Sequence, residues 1–312
     1  MSNTTLPFFS VIIPNYNGEK YLSACLDSVL NQTFYDFEII VVDNFSEDKS
    51  AEILEEYIQK DSRVSFYQEH NNGVIAHSRN YGIKKARGEW ISTIDSDDIW
   101  YPEKLKCVYD IIKSNPKIDV ICHYMLMKNM LDGSSTPMVT RPMNKDVYRQ
   151  LLLYRNMFVQ SSMSYKHSFL TDKNLLFDES QDFITVEDYD FSMQIARAGA
   201  IFYSIDQYLG EWRVYKTNNS SSPKHIRNFY TLVKKHVYDI QSFEPNKEKL
   251  WKRIQAGAVI NEANICFNNK RYGRWGRLCL KAIIMSPVQF LSYIFDRLFL
   301  TRKRIVFKLS HK

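Results

Sequence analysis

The feature that most constrains this chain is the alternation of short apolar runs with amphipathic segments over its first hundred residues. The apolar runs are rich in β-branched residues and read FFSVIIP (Phe8–Pro14), FEIIVVD (Phe37–Asp43), VSFYQ (64–68) and EWISTIDSDD (Glu89–Asp98). The segments between and after them, 18–32, 47–60, 74–88 and 101–116, repeat their apolar residues at helical spacing. Strand and helix in alternation predict βαβ units, a parallel sheet and an α/β fold.

Polar residues stand where three of these strands end. They are Asn15-Tyr16-Asn17, Asp43-Asn44 and Asp95-Ser96-Asp97-Asp98. Open parallel sheets bind ligands at the carboxyl ends of their strands. The pattern therefore predicts one pocket that these three groups line.

Beyond Asp119 the periodicity weakens. IDVICHYMLM is consistent with a strand and 132–142 with a loop, whereas 146–157 and 186–199 have helical spacing. From His225 onward almost everything indicates helix. Charge divides similarly, with 22 Lys and Arg against 30 Asp and Glu in residues 1–222, and 19 against 5 from Pro223 to the end. Such asymmetry suggests two segments with different tasks.

Composition narrows the class of protein. With 45% hydrophobic and 24% charged residues the chain is of ordinary globular type. Its five cysteines are scattered and odd in number, which favours reduced thiols in a reducing compartment. The amino terminus lacks the basic and small-residue pattern of a signal peptide. We therefore expect a cytoplasmic protein. The acidic front would repel a nucleic-acid backbone, so no nucleic-acid partner is expected.

The sequence lacks the glycine-rich phosphate loops. The first strand is followed by PNYNGEK rather than G-x-G-x-x-G, and there is no G-x-x-x-x-G-K-[ST] motif. Asp95-Ser96-Asp97 offers another way to hold phosphate, because two carboxylates at the end of a buried strand need a cation. Mg²⁺ or Mn²⁺ takes one or two carboxylates and fills its remaining positions with phosphate oxygens. The alternative is a solvated acidic turn that precedes the next helix.

Three ordered blocks resemble glycosyltransferase family 2, the inverting enzymes of the GT-A fold. They are SVIIPNYNGEKYLSACLDSVLNQTFYDFEIIVVDNFSED, NNGVIAHSRNYGIKKARGEWISTIDSDD and VEDYDFSMQIARAG, within about residues 8–222. The resemblance is to bacterial polysaccharide and O-antigen-type enzymes, and it implies a UDP-sugar donor. It implies a catalytic domain at 1–222, with donor binding at about 8–115 and an acceptor part at 116–222. A basic helical region follows at 223–312.

Carried over residue by residue, the resemblance implies a nucleotide site. Pro14 and Tyr16 match positions that border the base, where the aromatic face of Tyr16 suits uracil; core packing is its alternative. Asp43 matches the residue that accepts a hydrogen bond from uracil N3–H, with a helix N-cap as its alternative. Asn71 and Arg79 match positions near the nucleotide.

The resemblance also implies the metal site and the catalytic acids. Asp95 matches the acid that contacts ribose or metal, and Asp97 the direct metal ligand; Arg79 is alternatively their structural partner. In an inverting transfer a carboxylate must take the proton of the acceptor hydroxyl. Asp188 matches that base, and Glu187 a ligand or orienting group for the acceptor.

One motif departs from the family pattern. Where relatives often have R-x-H, this chain has Arg213-Val214-Tyr215, so tyrosine stands in the position of a histidine that can complete the metal site. Tyrosine is a poor metal ligand at neutral pH but can donate to a phosphate oxygen. Arg213 or Lys216 would then share the phosphate charge.

The carboxyl-terminal region carries a second expectation. In VQFLSYIFDRLFL (288–300), one helical side holds Phe290, Leu291, Ile294, Phe295 and Leu298, and the other holds Gln289, Ser292 and Asp296. Arg302, Lys303, Arg304 and Lys308 follow directly. The run is too short to span a bilayer but suits its interface, so we expect peripheral contact with the inner face of the cytoplasmic membrane and a lipid-linked saccharide acceptor. The alternative is packing on the catalytic domain or on a second subunit.

For the whole chain, the rival function is a non-catalytic nucleotide-sugar-binding protein on the same fold.

Overall fold

The computed structural model describes residues 6–141, 143, 145–215 and 222–295. The chain forms two compact units, one made of residues 1–143 and 158–228, the other of 144–157 and 229–312. Segment 144–157 thus belongs with the carboxyl-terminal helices, although it lies far from them in sequence.

The first unit is a mixed sheet with helices. Its strands are β1 (Phe9–Asn15), β2 (Phe37–Asp43), β3 (Val64–Gln68), β4 (Trp90–Thr93), β5 (Ile99–Trp100), β6 (Val120–Asn129), β7 (Ser135–Met138), β8 (Ser164–Lys166) and β9 (Phe202–Val214). Its helices are α1 (Leu22–Leu30), α2 (Ser50–Lys60), α3 (Ile75–Lys85), α4 (Lys104–Ser114), α6 (His167–Asp172) and α7 (Glu187–Arg197).

The parallel part of the sheet confirms the prediction from the alternating pattern. The strand order is β3-β2-β1-β4-β8-β6-β9-β5, with β7 beside β6, and β1 pairs in parallel with both β2 and β4. Every residue of β1 and β2 is buried, as expected for parallel strands covered on both faces. Asn15 pairs with Asp43 in register, so these two strands end side by side.

The rest of the sheet was harder to predict. The expected strand after residue 117 is β6, but β7 lies in 132–142, so the prediction of a simple loop there is wrong. The longest strand, β9, gave no strand signal because buried and exposed residues do not alternate regularly along it. β8 joins the sheet antiparallel to β4 and β6, which makes the whole sheet mixed.

The second unit is helical among its described residues. It contains α5 (Val147–Tyr154), the end of α8 (Pro223–Lys235), the π-helical turn His236–Ile240, α9 (Lys247–Asn268), α10 (Tyr272–Met285) and α11 (Pro287–Phe295). The hydroxyl of Tyr148 on α5 lies 2.9 Å from Nδ1 of His236, and α9 packs against α10. The expectation of helix after His225 is confirmed for the described part.

No single described helix is long and apolar enough to cross a membrane. Helices α10 and α11, which bend by 120° at their junction, pass that test only as a pair, by length and composition. Of the expected amphipathic run, residues up to Phe295 are described. Asp296, Leu298 and the cluster from Arg302 to Lys308 lie outside the described residues.

Candidate active site

A cleft of about 910 Å³ opens where β1, β2 and β4 end. Its lining includes residues from each predicted strand end, from the start of α3 and from β9: Pro14, Asn15, Tyr16, Asn17, Gly18, Tyr21, Asn44, Asn71, Gly73, Ile75, Ser78, Asp95, Ser96, Asp97 and Trp212. The single pocket predicted from the polar strand ends is therefore present.

Tyr16 stands at the surface of this cleft. Its side chain is 57% exposed although it directly follows a fully buried strand. An exposed aromatic ring beside the buried Pro14 provides a face on which a flat ligand can stack. Core packing, the alternative for Tyr16, does not describe its position.

Asp43 lies behind the cleft. It is fully buried, and its Oδ1 accepts hydrogen bonds from Asn15 Nδ2 at 2.7 Å and from the Ser46 hydroxyl at 2.5 Å. Its Oδ2 accepts from the backbone N–H of Ser46 at 2.9 Å. Asp43 thus closes a turn before α2 and orients Asn15, which lines the cleft.

Asn71 lines the cleft while it holds the loop before α3. Its Nδ2 donates to the Ser78 hydroxyl at 2.9 Å, and its Oδ1 accepts from the backbone N–H of Gly73 at 2.8 Å. Gly73 has a φ of +76°, a conformation that glycine adopts without strain. The two residues together shape the entrance to α3.

Asp95 and Asp97 face the same cleft from the turn that follows β4. The Ser161 hydroxyl accepts from the backbone N–H of Asp95 at 3.1 Å, and the N–H of Asp98 donates to the Asp95 carbonyl at 3.0 Å. Burial and the Asp95 carboxylate raise the pKa of Asp97 to about 6. A cation at this turn would relieve that unfavourable charge.

The carboxylates of this turn can hold a hard divalent ion only if a bound phosphate or water supplies further oxygen ligands. Among the described residues, no group of three or more His, Cys, Asp and Glu side chains is placed to hold a metal. Asp97 and Asp95 supply two carboxylates, and an ion such as Mg²⁺ or Mn²⁺ commonly takes the rest of its shell from phosphate and water. The residues present are compatible with that arrangement.

Asp98 is structural. It is 1% exposed, its Oδ1 accepts from the backbone N–H of Arg213 at 2.8 Å, and its Oδ2 accepts from the Ser161 hydroxyl. Asp98 therefore fastens the end of β9 to the Asp95–Asp97 turn. Ser161, which contacts both ends of this turn, had no signal in the sequence.

Arg79 connects the two acidic groups. It is 3% exposed, and it donates from Nη2 to Asp95 Oδ1 and from Nη1 to Glu187 Oε1, both at 2.8 Å. Burial opposes its charge, but the Asp95 and Glu187 carboxylates raise its pKa above the ordinary value. It does not line the cleft, so the structural-partner interpretation describes its position.

Glu187 and Asp188 begin α7. Glu187 is 6% exposed, and its second oxygen, Oε2, is buried without a hydrogen-bond partner among the described residues. Burial and the Glu187 carboxylate raise the pKa of Asp188 to about 7, against the opposing effect of Arg79. A carboxyl group with a pKa near neutrality is suited to accept and release a proton.

Tyr215 lies near the Asp95–Asp97 turn that follows β4. Its ring is 4.4 Å from that of Tyr21, which lines the cleft. Burial raises the pKa of Tyr215 to about 12, and Asp97 acts in the same direction. The phenol therefore stays protonated, as a hydrogen-bond donor rather than a metal ligand. Lys216 lies outside the described residues.

Tyr21 and Trp212 line the cleft although neither was predicted to. Trp212 directly precedes the Arg213–Tyr215 motif, and that position could have indicated that it lies at the cleft. The position of Tyr21 in the sequence pattern did not distinguish a cleft residue from a core residue.

Comparison with known proteins places this architecture. Residues 10–171 match the model of "Glycosyl transferase family 2". An uncharacterised glycosyltransferase of Methanocaldococcus jannaschii, MJ1057, is 31% identical over 262 residues, which are 81% of this chain and 87% of that protein. The uncharacterised glycosyltransferase EpsJ of Bacillus subtilis is 29% identical over 223 residues, 69% of this chain and 63% of that protein.

Solved structures agree on the fold. The crystal structure of S. aureus TarS 1–349 in complex with UDP-GlcNAc superposes with a TM-score of 0.65 at 24% identity, covering 90% of this chain and 82% of that one. The mannosyltransferase PcManGT from Pyrobaculum calidifontis, in complex with GDP-Man and Mn²⁺, has a TM-score of 0.55 at 14% identity and covers 99% and 89%. The expected GT-A-like α/β fold with carboxyl-terminal helices is confirmed. With a family model that matches half of its length, this chain belongs to glycosyltransferase family 2 and is a glycosyltransferase.

Proposed function

We propose that the protein moves a sugar from a UDP-sugar to a hydroxyl group of a saccharide acceptor, with inversion at the anomeric carbon. The observation that carries this proposal is the Arg79 bridge. It joins Asp95, at the cleft, to Glu187, which is next to a carboxyl group whose pKa is near neutrality. Glu187 and Asp188 do not line the cleft themselves, and the Arg79 contacts support our assignment of donor-binding and proton-accepting groups to one site.

The nucleotide is assigned to the strand-end side of the cleft. Uracil would stack on Tyr16, next to Pro14, Asn15 and Asn71. Asp43 would act through Asn15, because its own carboxylate is buried and already accepts three hydrogen bonds. The complex of TarS with UDP-GlcNAc, on a similar fold, supports a UDP-sugar donor here.

The diphosphate is assigned to the turn after β4. Asp97 and Asp95 would hold Mg²⁺ or Mn²⁺, which would neutralise charge on the departing diphosphate. Arg213 supplies positive charge to the same turn, because its guanidinium lowers the pKa of Asp97 and so partly offsets the effect of burial. Tyr215, whose ring lies 4.4 Å from that of the cleft residue Tyr21, would donate a hydrogen bond to a phosphate oxygen.

The transfer step needs one proton acceptor. Asp188 takes the proton of the acceptor hydroxyl as that oxygen forms a bond to the anomeric carbon. The bond from that carbon to the diphosphate oxygen breaks on the opposite face, and its electron pair leaves with UDP. Glu187, held by Arg79, keeps Oε2 for orienting the acceptor hydroxyl.

The acceptor is proposed to be a lipid-linked saccharide, used on the cytoplasmic side of the membrane. The five scattered cysteines and a basic second unit suit a peripheral protein of a reducing compartment. A non-catalytic nucleotide-sugar-binding protein would not need the Glu187–Asp188 pair.

A donor screen tests the proposed function. The full chain is incubated with UDP-sugars and GDP-sugars, with Mg²⁺, Mn²⁺ or EDTA, and release of UDP or GDP is measured. We expect UDP release that EDTA abolishes. Equal use of GDP-sugars, or full activity in EDTA, would contradict the uracil site or the metal site respectively.

A further inference from the structure

The junction of α10 and α11 exposes a set of large apolar side chains, which we call the apolar platform. Its members are between 40% and 75% exposed: Leu280, Ile284, Val288, Leu291, Ile294 and Phe295. Single exposed apolar residues are normal on protein surfaces, but a larger apolar patch indicates a surface that something else covers. Helical spacing puts Leu280 with Ile284, and Val288 with Leu291 and Phe295, on one face of their helices.

Helix α11 has its polar side turned inward. Gln289 is 2% exposed; its Nε2 donates to the Leu153 carbonyl at 3.2 Å, and its Oε1 accepts from Arg253 Nε at 2.9 Å. The Ser292 hydroxyl contacts that of Tyr154. Rotating α11 to bury its apolar side would break these hydrogen bonds and leave buried polar groups unsatisfied, which is costly.

The segment that carries the platform is basic. Residues 263–295 contain five Lys and Arg and no Asp or Glu. Lys270, Arg271, Arg277 and Lys281 are exposed, and Arg274 pairs with Glu262 of α9 at 2.6 Å. The sequence continues with further cations from Arg302 onward.

This charge selects among the possible occupants. A second copy of the chain placed on the platform would bring two sets of like charges together, which disfavours the contact. The surface of an anionic bilayer accepts apolar side chains at its interface and attracts each nearby cation. An anionic bilayer surface therefore accounts for both the exposed apolar side chains and the nearby positive charge.

We propose that the apolar platform and its cations bind the surface of an anionic lipid bilayer, with α10 and α11 lying in the interface rather than spanning it. The inward hydrogen bonds of Gln289 and Ser292 hold the apolar side of α11 outward for this contact. The proposal does not depend on the donor or on turnover.

Vesicle co-sedimentation of the full chain at low salt tests it. The probes are vesicles of phosphatidylcholine mixed with phosphatidylglycerol, and vesicles of phosphatidylcholine alone. We expect salt-sensitive binding to the mixed vesicles. The double variant Ile284→Glu, Phe295→Glu should bind on the order of 100-fold more weakly. The double variant Arg277→Gln, Lys281→Gln should bind about 30-fold more weakly.

Matched controls separate the platform from the general surface. Leu131→Glu changes another exposed apolar residue, and Lys117→Gln, Lys173→Gln removes two exposed cations elsewhere; both should bind like wild type. If the variant with two glutamates folds poorly, the variant Arg277→Gln, Lys281→Gln still tests the proposal through its binding to the mixed vesicles. Wild type that stays in the supernatant, platform variants that bind like wild type, or a dimer that Ile284→Glu, Phe295→Glu turns into monomers would each overturn the proposal.

Discussion

Arg79 donates a hydrogen bond to Glu187 across 108 positions of sequence, with 2.8 Å between Nη1 and Oε1. Its other terminal nitrogen binds Asp95 at the same distance. The planar guanidinium can serve two carboxylates in fixed directions, which a lysine cannot do. The buried arginine therefore sets the position of α7 relative to the turn after β4.

Arg79→Lys should accordingly lose activity while keeping its charge. Because one ammonium group cannot reach both carboxylates with the same geometry, we expect kcat to fall by about 100-fold, and stability to fall by about 3 kcal/mol since a buried pair is broken. Steady-state kinetics and thermal unfolding measure the two effects. Arg87→Lys is the control, because Arg87 pairs with Glu38 while its own side chain is 59% exposed. Equal behaviour of the two variants would remove the special role of Arg79.

The pH dependence of transfer should report Asp188. A base must be ionised to accept a proton, and the pKa of Asp188 is raised to about 7. We therefore expect kcat/KM to rise with pH through about 7 and then level off. A pH–rate profile with no ascending limb between about pH 6 and 8 would argue that another group takes the proton.

Asp188→Asn should lose activity but gain stability at alkaline pH. The folded pKa of Asp188 is raised, so its contribution to stability is present at low pH and is lost as the pH rises through about 7. Asparagine avoids this loss, and we expect a gain on the order of 1–3 kcal/mol at pH 8, together with a 10²- to 10⁴-fold fall in kcat, about what a general base contributes.

Asp190→Asn provides the comparison for that variant. Asp190 lies in the same first turn and accepts a hydrogen bond from Gln194 at 2.5 Å, which asparagine can still accept. Its kcat should change little. A collapse of UDP affinity in Asp188→Asn, measured by calorimetry, would place Asp188 in the donor site instead.

Removal of Asp97 should abolish metal-dependent binding of UDP. In Asp97→Ala, Mn²⁺ should no longer strengthen UDP binding in calorimetry, and turnover should fall by at least about 100-fold, because a metal ion on a leaving group contributes several kcal/mol. Ser96→Ala, between the two carboxylates, should retain the metal effect. If Asp97→Ala still responds to Mn²⁺, the ion is held elsewhere.

Tyr16→Leu should weaken donor binding without affecting the fold. Loss of stacking on a base is worth about 1–3 kcal/mol, so the Kd for UDP should rise about fivefold or more. Tyr35→Leu is the control, since Tyr35 is 72% exposed and does not line the cleft. Asp43→Ala should additionally lower the unfolding temperature, because Asn15 and Ser46 lose their buried acceptor. An unchanged Kd in Tyr16→Leu would move the base to another wall.

The sequence by itself determined the parallel half of the fold and the pocket at its edge. Hydrophobic periodicity is a local property, so the strands ending at Asn15 and Asp43 and the acids after Thr93 could be recognised without knowing their neighbours. Their common location follows because parallel strands end at the same edge of a sheet.

Tertiary structure decided what each polar residue does there. Asp43 is buried behind Asn15, Asp98 fastens β9, and Arg79 pairs with Glu187, because the folded chain brings together side chains that no local pattern relates. Strand β9 and the inward polar side of α11 escaped prediction for the same reason. Their burial depends on partners distant in sequence, and a hydrogen bond such as that from Gln289 to Leu153 exists only after packing.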